Sequence, residues 1–99
     1  MARFDVHRNP EGVGFVVNCQ SDLFSDYRVR VVVPLLPPEN APKIVSRLNP
    51  VFDIEGKPMV MVPHFIASLP TTLLGPVVHN LAHEELVIQG SLDMLTSGF

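Results

Sequence analysis

The chain contains no tryptophan, a single tyrosine and a single cysteine, Cys19. With one thiol no intramolecular disulfide can form, which excludes a disulfide-stapled secreted framework. A basic run is also missing. The seven Lys and Arg residues, Arg3, Arg8, Arg28, Arg30, Lys43, Arg47 and Lys57, are scattered, none lies beyond Lys57, and the net charge is −3. Direct binding of nucleic acid ordinarily needs a basic stripe or patch, so the expectation is a protein partner or a small ligand. The first residues, Met-Ala-Arg-Phe-Asp, lack the apolar core of a secretory signal. With the lone cysteine, this points to the cytoplasm. There is no glycine-rich phosphate loop, and Ser21 and Ser68 sit in no nucleophile motif.

Charge is also missing over one long stretch, because Pro58 to His83 holds no Asp, Glu, Lys or Arg. Length alone would permit a membrane span. Pro58, Pro63, Pro70 and Pro76, with Gly75, interrupt it. Each internal proline removes a helix hydrogen bond and clashes with the preceding turn. The stretch therefore reads as strands and turns of a core.

What is present is apolar side chain in excess for the size. The 99 residues are 46% hydrophobic, and mean hydropathy is +0.28. That length makes one domain, residues 1–99, with one modest core. Surplus apolar surface on so small a chain predicts a subunit interface.

The periodicities predict an antiparallel sheet followed by one helix. Arg3 to His7 reads as a first strand, Asn9-Pro10-Glu11-Gly12 as a turn, and Gly14 to Gln20 as a second strand with Phe15, Val17 and Cys19 on one face. Tyr27 to Leu35 is the clearest strand. Tyr27, Val29, Val31 and Val33 would face one way, Arg28, Arg30 and Val32 the other, and Pro34 marks its end. Lys43 to Leu48 has room for one helical turn. Val51 to Ile54 and Pro58 to Val62 flank Glu55-Gly56 as a hairpin, with glycine supplying positive φ. His64 to Leu69 reads as a short strand stopped by Pro70. Pro76 suits a first helical position. Val78, Leu81, Ile88, Leu92 and Leu95 follow at spacings of 3, 7, 4 and 3, one helical stripe. Gly90 falls inside it and costs about 1 kcal/mol relative to alanine; either a close backbone contact or a weak point would place it there.

Few constellations could carry chemistry. His79 and His83 lie four apart on the predicted helix, but Asn80 stands where a zinc protease has its glutamate, so a polar helix face is the plainer reading. His7 and His64 have no sequence neighbour to make either a base. Cys19 reads as a small buried hydrophobe. Arg28 and Arg30, with Asp22 and Asp26, could form an RNA-cleaving site, or the solvated face of an edge strand.

Several segments in order resemble the CcdB toxin family. They are Val17-Asn18-Cys19-Gln20-Ser21-Asp22, Arg30-Val31-Val32-Val33-Pro34-Leu35, Val45-Ser46-Arg47-Leu48-Asn49-Pro50-Val51, Ile66-Ala67-Ser68-Leu69-Pro70, and a terminal Gly98-Phe99 after an amphipathic helix. The resemblance covers nearly the whole chain. It implies a β-rich α+β fold, an SH3-like barrel of antiparallel strands with a C-terminal α-helix, shared with MazF-type ribonucleases. It implies a cytoplasmic homodimer without cofactor or metal that poisons DNA gyrase. Such a dimer binds the gyrase A subunit, traps the cleaved-DNA complex, and is neutralised by a CcdA-like antitoxin. On this resemblance Ser97, Gly98 and Phe99 are the gyrase-binding residues, although the family's tryptophan is replaced here by Ser97. Leu23 and Phe24 become the antitoxin-binding residues. Two plainer readings stay open: a frayed tail at 97–99, and Leu23 and Phe24 plugging one end of the barrel. The other functional readings are a family member that only binds antitoxin, and a MazF-like endoribonuclease.

Overall fold

A computed structural model describes residues 2–98. Seven strands form one antiparallel sheet: β1 (Asp5–Arg8), β2 (Phe15–Asn18), β3 (Val29–Leu36), β4 (Val51–Ile54), β5 (Lys57–Met61), β6 (Ala67–Pro70) and β7 (Val77–Asn80). One α-helix, α1 (Glu85–Ser97), ends the chain. The order across the sheet is β4-β5-β3-β2-β1-β7, with β6 attached to β3. The sheet curls into a half-barrel, and α1 covers its concave side. No helix among the described residues is long and apolar enough to cross a membrane.

The central strand is β3. One edge runs along β2 from Val32 to Leu35. The other edge is shared, with β6 along Val29 to Val32 and β5 along Leu35 and Leu36. Pro34 was expected to end this strand, yet β3 continues through it to Leu36. Strand geometry gives the reason. A residue's N–H and C=O point to the same side, and the Pro34 carbonyl accepts the Val62 N–H at 3.0 Å. The missing N–H therefore falls in the gap between β6 and β5, where no ladder bond is lost.

The other elements follow their local chemistry. The β1–β2 connection is closed by Asn9, whose Oδ1 accepts the Glu11 N–H at 2.9 Å and whose Nδ2 donates to the Val13 carbonyl at 3.1 Å. Gly14, at φ +83°, must be glycine, since a Cβ there would lie 2.3 Å from the Leu35 carbonyl oxygen. In the β4–β5 hairpin Glu55 and Gly56 take φ of 55° and 81°, as a two-residue primed turn demands. The segment around Lys43–Leu48 makes a single i→i−4 bond, from the Asn49 N–H to the Val45 carbonyl at 2.7 Å. Asn49 holds this turn from its side chain, accepting from the Val45 N–H and donating to the Met61 carbonyl.

Three expected boundaries are wrong for identifiable reasons. Strand β1 begins at Asp5, not Arg3, because Phe4 adopts φ 72°. That left-handed geometry is costly for a non-glycine residue, and burial of the Phe4 ring to 2% exposure offsets it. Residues 63–65 form a 3-10 turn, so β6 begins at Ala67 and includes Pro70. The largest correction concerns the helix. Val77–Asn80 is a strand paired with β1, with Val6 opposite His79 and a bulge after Val6. The free edge of β1 offers a ladder of hydrogen bonds that the helical spacing of Val78 and Leu81 does not reveal. Asn80 then turns the chain, donating to Asp5 Oδ1 and accepting the Ala82 N–H, both at 2.8 Å.

The core lies between the sheet's concave face and α1. It joins Phe4, Val6, Phe15, Val17, Val33, Leu35, Phe52, Ile54, Met59 and Met61 to Leu81 and Ile88, with Leu92 packed at its margin. Ser91 is fully buried and donates to the Leu48 carbonyl at 2.6 Å, pinning α1 to the segment before β4. A smaller cluster of Val16, Val32 and Leu69 lies on the other face of the sheet.

A Cβ at Gly90 would meet nothing within 4 Å, so this glycine is a weak point, not a packing contact. Gly90→Ala is expected to stabilise the fold by about 0.5–1 kcal/mol, whereas Gly14→Ala should destabilise it. Urea unfolding midpoints of the two variants, moving in opposite directions, check both.

Candidate partner-binding surface

The loop between β2 and β3 is built from short-range caps. Ser21 Oγ accepts the Leu23 N–H at 3.2 Å, and a 3-10 turn over Asp22–Phe24 follows. The Tyr27 N–H closes a second turn on the Phe24 carbonyl at 3.1 Å. These turns point the apolar side chains outward. Leu23 is 87% exposed, Tyr27 61% and Phe24 47%. The Phe24 and Tyr27 rings lie 5.6 Å apart, tilted by 53°. Leu23 and Phe24 therefore do not plug the barrel end. Together with Tyr27 and Val29 they form an apolar outer surface. The strand periodicity of Tyr27 and Val29 does not reveal this exposure, and Val29 is the first residue of β3.

At the other candidate segment, Ser97 is the last residue of α1. Gly98 takes φ 80° and donates its N–H to the Met94 carbonyl at 3.0 Å. This is an αL helix cap, which ties residue 98 back to the last turn of α1. Phe99, named with them from the resemblance, lies outside the described residues.

Arg3 ties the two segments together. Its main-chain N–H donates to Asp22 Oδ1 at 2.9 Å, and its guanidinium donates to Gln89 Oε1 of α1 at 3.0 Å. Gln89 in turn donates to Asp93 at 3.1 Å. From Gln89 to Ser97 the helix climbs about 12 Å.

The other singled-out residues separate. Arg30 is 6% exposed, not on a solvated edge, because β3 is central and its side chain turns under the loop. Its guanidinium donates to the Ser25 carbonyl at 2.7 Å, the Val29 carbonyl at 2.8 Å, and the Tyr27 carbonyl. Arg28 is exposed and Asp22 is engaged by Arg3, so these charges do not converge on a reactive centre. His79 lies on β7 and His83 in the turn before α1, with ring centroids 6.3 Å apart. They do not share a helix face. Among the described residues no three His, Cys, Asp or Glu side chains are grouped to hold a metal. His7 is 1% exposed and donates through Nδ1 to the Gly75 carbonyl, 2.8 Å away. Since a carbonyl only accepts, Nδ1 carries the proton, and the ring fastens the 71–76 segment to the sheet. A cleft of about 820 Å³ opens between the β1–β2 loop and the β4–β5 hairpin, edged by an exposed Arg8–Glu55 ion pair at 3.0 Å.

This architecture, a curled antiparallel half-barrel closed by a C-terminal helix, is the MazF/CcdB-like toxin fold. An endoribonuclease in complex with its cognate antitoxin, from a mycobacterial species, aligns with TM-score 0.79 at 13% identity, over 97% of this chain and 94% of that one. The Mycobacterium tuberculosis toxin MazF-mt6 aligns with TM-score 0.69 at 13% identity, over 90% of each chain. A chain of the MazE–MazF structure from Deinococcus radiodurans aligns with TM-score 0.70 at 11% identity, over 98% and 95%. At such identities the likeness establishes the fold alone. By sequence, the family model described as CcdB protein matches residues 3–98. The chain belongs to the CcdB family. No curated protein sequence matches it.

Cys19 packs against the core beside Phe15 and Val17. Burial pushes its thiol from 9.0 up to about 12, with nearby Arg3 opposing the rise. The folded protein thus holds this proton more tightly than the unfolded chain. Stability is fully present below pH 9 and falls as pH rises toward 12. Native Cys19 should resist a thiol reagent at pH 8 and react once unfolded. In Cys19→Ala the stability loss between pH 9 and 12 should shrink, as read by urea unfolding across that range.

Proposed function

We propose that this protein is the toxin of a toxin–antitoxin pair. It acts by poisoning DNA gyrase and is neutralised by a CcdA-like antitoxin. The observation that carries the reading is the CcdB family match across residues 3–98. The solved structures of similar fold, which include one endoribonuclease bound to its cognate antitoxin and one MazE–MazF assembly, support an antitoxin partner. The exposed apolar loop at Leu23 and Phe24 supplies a surface for it. A disordered antitoxin segment that folds on binding needs apolar anchors of this kind.

The gyrase A subunit is assigned to the tail, Ser97, Gly98 and Phe99. The αL cap at Gly98 fixes the direction in which the chain leaves α1. A side chain at 98 would strain that geometry, so glycine is the residue that fits the cap. The action proposed is non-enzymatic and cytoplasmic, needs no cofactor, and is delivered by a homodimer. The exposed apolar side chains of Ile44, Val45, Phe65, Ile66 and Leu86 are the surface from which a dimer interface would be drawn. A ribonuclease reading is served less well, because the Arg30 guanidinium is committed to backbone carbonyls. The substitution of Ser97 for an aromatic anchor favours, as second reading, a family member that binds antitoxin while acting weakly on gyrase.

The test is gyrase cleavage. Purified protein with gyrase, ATP and plasmid, treated with detergent and protease, is expected to yield linear DNA. The product should vanish when residues 98 and 99 are deleted. Because a lost aromatic anchor costs about 2–4 kcal/mol, Ser97→Trp should raise potency about tens- to hundreds-fold. No linear DNA at high protein excess, from wild type and Ser97→Trp alike, would sink the gyrase assignment and leave antitoxin binding.

A further inference from the structure

The loop 21–29 is inverted relative to an ordinary surface loop. Its large apolar side chains, Leu23, Phe24 and Tyr27, face solvent. Its interior is polar instead. Arg30 is 6% exposed and Gln20 is 9% exposed. Gln20 Nε2 donates to the Phe24 carbonyl at 2.8 Å, and its Oε1 accepts the Val31 N–H at 3.1 Å. Arg30 donates to the carbonyls of Ser25, Tyr27 and Val29. Two buried side chains thus hold the backbone at 24, 25, 27 and 29.

A buried guanidinium normally requires a carboxylate or dense hydrogen bonding to offset its lost hydration. Here backbone carbonyls supply the bonding. A loop serving stability alone would bury its leucine and aromatic rings and leave arginine in water. The opposite arrangement fixes the backbone from within and leaves the apolar groups free to meet a partner. Ordering a mobile loop at the moment of binding weakens affinity.

We propose that Arg30 and Gln20 are positioning residues that preorganise the 21–29 loop as a rigid docking surface for the antitoxin, with Tyr27 joining Leu23 and Phe24 in the contact. The identity of the partner rests on the proposed function; the rigidity of the loop does not.

The first experiment is backbone 15N relaxation on the free wild-type protein. Amides 22–29 are expected to be as ordered as those of β3, with order parameters near about 0.85. Values clearly below those of β3 overturn the proposal without reference to any partner. The second experiment measures binding of the tail peptide of the cognate CcdA-like antitoxin by calorimetry. Leu23→Asp, changing a side chain that is 87% exposed, should weaken binding at least about tenfold with an unchanged melting temperature. If it has no effect, the antitoxin does not use this loop, and the assignment of the partner fails. Arg30→Met should also weaken binding about tenfold or more. It should shift amide resonances of residues 24–29 while those of the core stay in place, and Arg30→Lys should recover part of the affinity. Val33→Ala, which loosens the core away from the loop, serves as the stability control and should keep wild-type affinity. Should Arg30→Met fail to fold, Gln20→Met replaces it with the same expectation. Wild-type affinity in a folded Arg30→Met or Gln20→Met variant, alongside a weakened Leu23→Asp, overturns the positioning role while sparing the partner.

Discussion

Everything in this fold depends on one strand having to satisfy two neighbours along the same edge. Strand β3 meets β6 with its first half and β5 with its last two residues, while β2 occupies the opposite edge. Pro34 sits at the changeover and withholds a donor where none is wanted. Because β6 and the β4–β5 hairpin take successive parts of one edge, they diverge. The sheet curls and leaves a concave side that α1 covers with Ile88 and Leu92.

Around that strand, polar side chains hold the corners of the chain, and three of them, the amides Asn18, Gln20 and Asn49, are buried. Asn18 donates to the Ala2 carbonyl and accepts the Gln20 N–H. Asn49 fastens the turn before β4 to Met61. Asn80 turns the chain from β7 toward α1. Gln20 and Arg30 do the same for the loop between β2 and β3. An amide side chain brings both donors and acceptors, so it can replace a ladder partner at a bend where the backbone has none, and the Arg30 guanidinium does so as donor alone. Ten prolines in 99 residues leave the chain short of backbone donors, and these side chains make up part of the deficit at its turns.

The fold itself says little about mode of action. Ribonucleases and members of this family share the same half-barrel, so activity is carried by surface groups grafted on it. In this chain Arg30 is turned inward as a structural clamp, and the large side chains of Leu23, Phe24 and Tyr27 in the loop beside it face outward. That arrangement suits recognition of a protein. The link from Asp22 through Arg3 to Gln89 places the candidate antitoxin loop and the helix bearing the tail on one connected framework.

Alternation and turn chemistry were enough, read along the chain, to specify the β1–β2 hairpin, the Glu55-Gly56 turn, the burial of Phe15 and Val17 with Cys19 partly buried against them, and a helix carrying Ile88 and Leu92. These depend on contacts within a few residues or on periodicity, both of which are local. The ordered CcdB-like segments are what carry the family membership over residues 3–98. What stayed illegible was whatever depended on a distant partner. Val77–Asn80 has helical spacing and became a strand because the edge of β1, seventy residues earlier in the chain, was open. Pro34 looked like a terminator and was not, because its missing donor faces a gap defined by β5 and β6. Arg30 looked like a solvated charge and was buried, because the loop folds its carbonyls back over it. In each case the outcome was set by hydrogen-bond groups brought together from far apart, and only the tertiary structure places such groups side by side.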